Sequence, residues 1–221
     1  MTTANNQTQG FHHQFFKHVG IFLVLLGGLL VADAAIASEK NVTHHIDLAG
    51  IERIDIHNGV GTVHIRRSQG DQAELKVRFE GKRSGLMRRI KDVSDMDVEI
   101  RTRGDRLSIS FQENNVEATM YITLPDPAVL DIHVGVGVID AEVGESSVSA
   151  SMGVGDVTIR GFLDYAGEIN VDAGVGAARI DGAQNVSSSR AIVSEKASGR
   201  GEGTFRIKAD VGVGDVKVVL K

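Results

Sequence analysis

The tripeptide Gly-Val-Gly occurs five times in this chain, at 59–61, 135–137, 153–155, 174–176 and 212–214. From the second occurrence onward the spacings are 18, 21 and 38 residues. The last gap is about twice the others and holds Gly199-Arg200-Gly201-Glu202-Gly203, which predicts one irregular coil there. Alternating apolar residues follow the later glycine pairs: Val138-Ile139-Asp140-Ala141, Asp156-Val157-Thr158-Ile159, Ala177-Ala178-Arg179-Ile180 and Asp215-Val216-Lys217-Val218. A period near twenty residues marks a stacked architecture. One such unit is too short to bury its own inner face, so stacking must align the valines and isoleucines into a shared core. The glycines Gly59, Gly61, Gly135, Gly137, Gly153, Gly155, Gly174, Gly176, Gly212 and Gly214 then fall at corners. The next backbone lies ~4.8 Å away there, and a β-carbon would collide with it. With 26 Gly but only 2 Pro, the chain resembles neither collagen nor a disordered linker.

Ahead of the dense repeats the pattern is period two. Ile54 and Ile56 lead into His57-Asn58-Gly59-Val60-Gly61, then Val63 and Ile65; Asn-Gly between alternating runs signals a hairpin or tight turn. Residues 73–79, 98–101, 106–111 and 120–124 alternate likewise, as half-solvated strands do. Leu86, Met87, Ile90 and Val93 break this rhythm and predict a short amphipathic helix near 84–93, with Ser84 as its cap. Pro125-Asp126-Pro127 cannot sit inside a central strand and marks a boundary. The expected organisation is a leader over 1–37, an N-terminal β portion over 38–124, and a strand-repeat solenoid over 125–221, continuous with it. The N-terminal part would cap one end of the stack, and Lys217 and Lys221 would discourage pairing at the other.

Lys17 precedes the apolar run from Val19 to Val31, which is the length of a signal-peptide core and short of a membrane span. Ala35-Ile36-Ala37 then fits a leader-peptidase site, with cleavage between Ala37 and Ser38. The competing reading is an uncleaved anchor. Absence of Cys excludes disulfides, thiolate metal sites and cysteine nucleophiles.

A leader, a first strand pair around Asn58–Ile65, Arg103-Gly104-Asp105-Arg106-Leu107-Ser108-Ile109, an alternating strand ending in Leu124-Pro125, and serial Gly-x-Gly-Asp-Val strands follow in order. This arrangement resembles the bacterial putative-adhesin, β-strand-repeat domains of unknown function, over roughly residues 45–221. Val138 and Ala177 depart from it, standing where Asp156 and Asp215 occupy the other repeats. The resemblance implies an all-β, right-handed β-helix-like fold in a periplasmic or surface setting, and it brings no catalytic residues.

Chemistry is sparse. The Gly-x-Gly pairs lack the third glycine and following helix of a dinucleotide site, and no P-loop occurs. Calcium-binding β-rolls repeat every nine residues; here the period is about double and aspartate follows the second glycine in only two repeats, so solvated turn aspartates are expected and no cofactor. His44, His45, His57, His64 and His133 follow the leader; His57 and His64 flank one turn, but a metal site would need further ligands. Asp140, Asp156, Asp164, Asp172 and Asp181 recur too regularly for one paired acid and base. From Leu107 onward nine Lys+Arg face sixteen Asp+Glu, a poor nucleic-acid surface. Lys82, Arg83, Arg88, Arg89 and Lys91 form a basic patch that would suit an anionic membrane surface or serve as a solvated connector. The expectation is a non-enzymatic, adhesin-like envelope scaffold with a protein or glycan partner. The alternatives are a polysaccharide-acting enzyme on the same scaffold and an envelope-stress sensor.

Overall fold

The computed structural model describes residues 38–84 and 89–221; the expected leader with Ala37, and residues 85–88, lie outside the described residues. Sixteen strands and no helix occur among the described residues. They are β1 (Glu39–Asp47), β2 (Arg53–Arg67), β3 (Gln72–Gly81), β4 (Arg83–Ser84), β5 (Arg89–Ile90), β6 (Glu99–Arg103), β7 (Arg106–Phe111) and β8 (Val116–Leu124). Then follow β9 (Val129–Glu142), β10 (Ser147–Gly161), β11 (Ala166–Val175), β12 (Ala178–Asp181), β13 (Gln184–Arg190), β14 (Glu195–Arg200), β15 (Phe205–Val213) and β16 (Val216–Leu220). All but β4 and β5 join one open 14-stranded sheet.

Gly-Val-Gly is where each long strand folds over. Inward side chains alternate up to the first glycine and resume five residues later: Val134 to Ile139, Met152 to Val157, Ala173 to Ala178, Val211 to Val216. A step of five reverses the side-chain phase, which in a flat sheet would put the two arms' apolar sets on opposite faces. Both sets instead belong to one buried core, so the arms close over it. The core is built of columns in register. Ile56, Ile132, Ala150, Ala209 and Val171 align across the first arm. Ile65, Ala141, Ile159, Val218 and Ile180 align across the second. Asn-Gly at 58–59 therefore makes no hairpin: β2 folds over there without reversing direction, and both of its arms pair with β9.

The repeats do not stack in sequence order. In the first arm the parallel ladder runs β2, β9, β10, β15, β11, so the last repeat inserts between the third and fourth. The second arm agrees, with β16 between β10 and β12. The long gap before Gly212 holds an antiparallel hairpin, β13 with β14, in place of the irregular coil. β14 lies against β11 and leaves β13 as an edge strand; β1, β6 and β12 are also edges. Lys217, expected to guard an open end, lies on an interior strand and pairs with Asp181 at 2.9 Å.

The expected helix near 84–93 is not formed. Arg83 and Ser84 pair antiparallel with Ile90 and Arg89, and Lys91 N donates to Lys82 O at 3.2 Å. The apolar spacing misleads because its members do not share a buried face: Val93 is fully buried, whereas Ile90 is exposed. Pro125-Asp126-Pro127 is an anchor as well as a boundary. Asp126 accepts from Arg67 Nε and Nη2, and from the backbone N–H groups of Gly144 and Glu145.

Two kinds of glycine hold the bend. A β-carbon on Gly135, Gly153, Gly212 or Gly174 would lie 2.5–2.7 Å from the carbonyl oxygen of the neighbouring strand's glycine. At Gly137, Gly155, Gly176 and Gly214 the corresponding approach is 1.7–1.9 Å, and φ is between +133° and +147°. The second position is thus doubly closed to L side chains. Gly155→Ala is expected to destabilise by about 3 kcal/mol or more, Gly153→Ala by less, and the half-buried Thr158→Ala by no more than about 1 kcal/mol. Urea unfolding of the three variants checks the order; equal midpoints would contradict it.

Candidate functional site

The same glycines shape the surface. Two residues before each first glycine stands an outward polar side chain: His57, His133, Ser151, Asp210 and Asp172, adjacent in that order. Next along the outer face comes a glycine, with no side chain. At the corner stand Val60, Val136, Val154, Val213 and Val175, in register and 43–48% exposed. Five strands at ~4.8 Å spacing make a trough about 19 Å long, floored by glycine backbone, with a polar bank and a valine bank. Val193 and the fully exposed Ile192 lie at its far end, where Gly176 N donates to Val193 O at 3.0 Å.

The near end deepens into a cleft of about 790 Å³. Its floor includes Gly59, Gly135 and Gly153, and residues 95–97 with Glu99 and Glu113 form its rim. His57 and His133 stack there, with ring centroids 4.8 Å apart and planes within 10°. Asp97 accepts from His44 Nε2 at 2.8 Å, and its carboxyl is held below the usual range. Burial opposes that shift, and the His44 and Val98 N–H hydrogen bonds outweigh it. Glu113 pairs with Lys91 at 3.2 Å and Glu99 pairs with Arg101. Ser151 Oγ donates to Asp210 Oδ2 at 2.7 Å.

The residues singled out by sequence distribute as follows. The ten glycines converge on the bend, in the spatial order of Gly59, Gly135, Gly153, Gly212 and Gly174 for the first members. Ser38 is exposed, and its carbonyl accepts from Gly81 N. In the basic patch, Lys82 pairs with Glu117 and Glu80 at 2.7 and 3.0 Å, and Lys91 with Glu113; Arg83 and Arg89 are exposed, and Arg88 lies outside the described residues. His57 and His64 do not pair with one another; His64 stacks on Tyr121, with centroids 4.9 Å apart. Asp140 is held by Arg66 and Arg160, Asp172 by Lys196, and Asp181 by Lys217. Asp156 and Asp215 spend an oxygen each on the next strand's backbone: Asp156 Oδ1 accepts from Asp215 N and Asp215 Oδ1 from Ala177 N. Ala177 precedes β12, which ends that ladder and offers no further amide to accept. No group of three or more His, Asp or Glu suited to a metal ion occurs among the described residues.

The trough is not legible in the sequence, because it forms only when five distant strands come into register. The available signal was the polar residue two positions ahead of every first glycine.

No protein-family profile matches the chain, and no curated protein does. Solved structures are similar to it. One is a putative cell adhesion protein from Clostridium sporogenes, with 16% identity over 83% of this chain and 100% of that one, and a TM-score of 0.49. A putative adhesin from Bacteroides fragilis has 14% identity over 81% and 97%, with a TM-score of 0.28. A putative adhesin from Parabacteroides merdae has 8% identity over 81% and 76%, with a TM-score of 0.36.

The histidine stack has a consequence for stability. Partial desolvation lowers the His57 pKa, the neighbouring His133 lowers it further, and Asp55 and Asp131 oppose them. The unfolded chain titrates there near ~6.5, above the folded value, so this contribution is complete above that pH and is lost as pH falls through the folded value. Melting temperature should therefore drop more for the wild type than for His57→Gln between about pH 7.5 and about pH 5. Equal drops would show that the stack has no such cost.

Proposed function

We propose that the chain is a non-enzymatic, adhesin-like interaction module of the bacterial cell envelope, exported by its leader. Its rigid, solenoid-like stack presents the glycine trough to a partner. The observation that carries this reading is the trough itself. It is long, shallow and regular, with apolar and polar banks in register over five strands. Such a surface binds by shape and repeated contacts along an extended ligand, in the way of other stacked-repeat faces. The carboxylates weighed for glycan cleavage support the same reading, since Asp140, Asp172 and Asp181 are ion-paired. The sequence resemblance to adhesin-type strand repeats points the same way.

Cells exporting the full chain should adhere to one another or to a protein-coated or glycan-coated surface. The double variant Val136→Asp/Val154→Asp should weaken that adhesion about tenfold, as loss of a central contact does. Adhesion indifferent to the variant, or turnover of a polysaccharide by the purified protein, would overturn the proposal.

A further inference from the structure

The cleft at the near end of the trough has a chemistry of its own. Among the residues lining it are four carboxylates, Asp95, Asp97, Glu99 and Glu113, and no lysine or arginine. Three of the four have partners, His44, Arg101 and Lys91, while Asp95 has none among the described residues. Asn58, in the cleft wall, is 2% exposed; its Nδ2 donates to Ala118 O at 2.8 Å, and its Oδ1 has no partner. Met96, half-buried, supplies apolar wall. The stacked imidazoles of His57 and His133 supply a planar one. A carboxylate rim over an apolar and aromatic wall matches the long stem and cationic head of arginine or lysine. Beyond the cleft the floor continues over Gly212 and Gly174, where the atoms nearest an added β-carbon are backbone, so an extended backbone can lie along the trough. Its length of about 19 Å takes about six extended residues. A glycan is less well served: Phe111 is buried, and Tyr121 and Tyr165 do not line the cleft, so no tyrosine, phenylalanine or tryptophan ring is offered there for sugar stacking.

We infer that the cleft is the specificity pocket of the trough, taking one arginine or lysine side chain from an extended segment of a partner protein. This deepens the interaction-module reading and rests on it. Binding is sensitive to acid. His57 is faced by His133 and Asp131 on β9, Ser110 on β7 and Asp55 on its own strand, with Asp95, Asp97, Glu99 and Glu113 across the cleft. Protonation of His57 puts positive charge against the incoming cation.

The test is a titration of the full chain with two hexapeptides, Gly-Ser-Arg-Gly-Ser-Gly and its glutamine counterpart, followed through the His57 and His133 imidazole resonances. The arginine peptide should shift both, and the glutamine peptide should shift neither. Affinity should fall with added salt and with a change from about pH 7.5 to about pH 5.5. Asp95→Asn/Glu113→Gln should weaken it about fivefold or more; Asp95 has no partner among the described residues and Glu113 gives up only its exposed pair with Lys91, so this variant keeps the fold. Equal binding of the two peptides, an unaffected double variant, or imidazole shifts caused by an amino-sugar oligomer and not by the peptide would overturn the inference. Adhesion that still depends on Val136 and Val154 in that case would leave the interaction-module reading standing.

Discussion

The close approach of backbones at the bend governs this molecule. Five strands pass one another where a β-carbon would stand less than 3 Å from a neighbouring carbonyl oxygen at nearly every glycine of the ladder. Only the outermost position, Gly59, is less confined, because it faces the flexible side chain of Gln112. Close passage lets the parallel ladder of β2, β9 and β10 continue through the corner, while β15/β16 and β11/β12 break there, and the five-residue step keeps both arms' aliphatics in one core. Remove the glycines and the arms either separate or lose their common interior.

The surface follows from the same requirement. A ladder that admits no side chain on its outer face must appear from outside as a trough, and the corner valines must stand beside it in solvent. The structural device and the proposed binding surface are thus one set of residues. What distinguishes one end is added from elsewhere: residues 95–97, Glu99 and Glu113 build a carboxylate rim over the histidine stack. The five valines are β-branched and therefore stiff, so such a bank loses little side-chain freedom when it is covered.

Much of this was legible in the sequence. Strand alternation, the glycine corners and the apolar columns are period-two features that a chain states locally. The spatial order was not legible, because nothing in the residues before Gly212 says that β15 turns back between β10 and β11. That choice is made by register and side-chain fit among distant strands. The β4–β5 pair was hidden for the opposite reason: Leu86, Met87, Ile90 and Val93 carry helical spacing, yet Val93 is buried and Ile90 exposed. Of the candidate site, the histidines and glycines were visible one by one. Their convergence depended on the parallel register of β2 on β9, which brings His57 onto His133 across 76 residues of sequence.

The central claim is the order of the glycine ladder, and because the chain contains no Cys, engineered pairs can report it cleanly. Val154 and Val213 are register partners on adjacent strands, while Val154 and Val175 belong to consecutive repeats but lie two strands apart. Adjacent strands bring α-carbons within disulfide range, and a separation of two strands, about 9.6 Å, does not. Oxidation of the folded protein should cross-link Val154→Cys/Val213→Cys and leave Val154→Cys/Val175→Cys reduced. The reverse pattern would show a stack in sequence order and contradict the account.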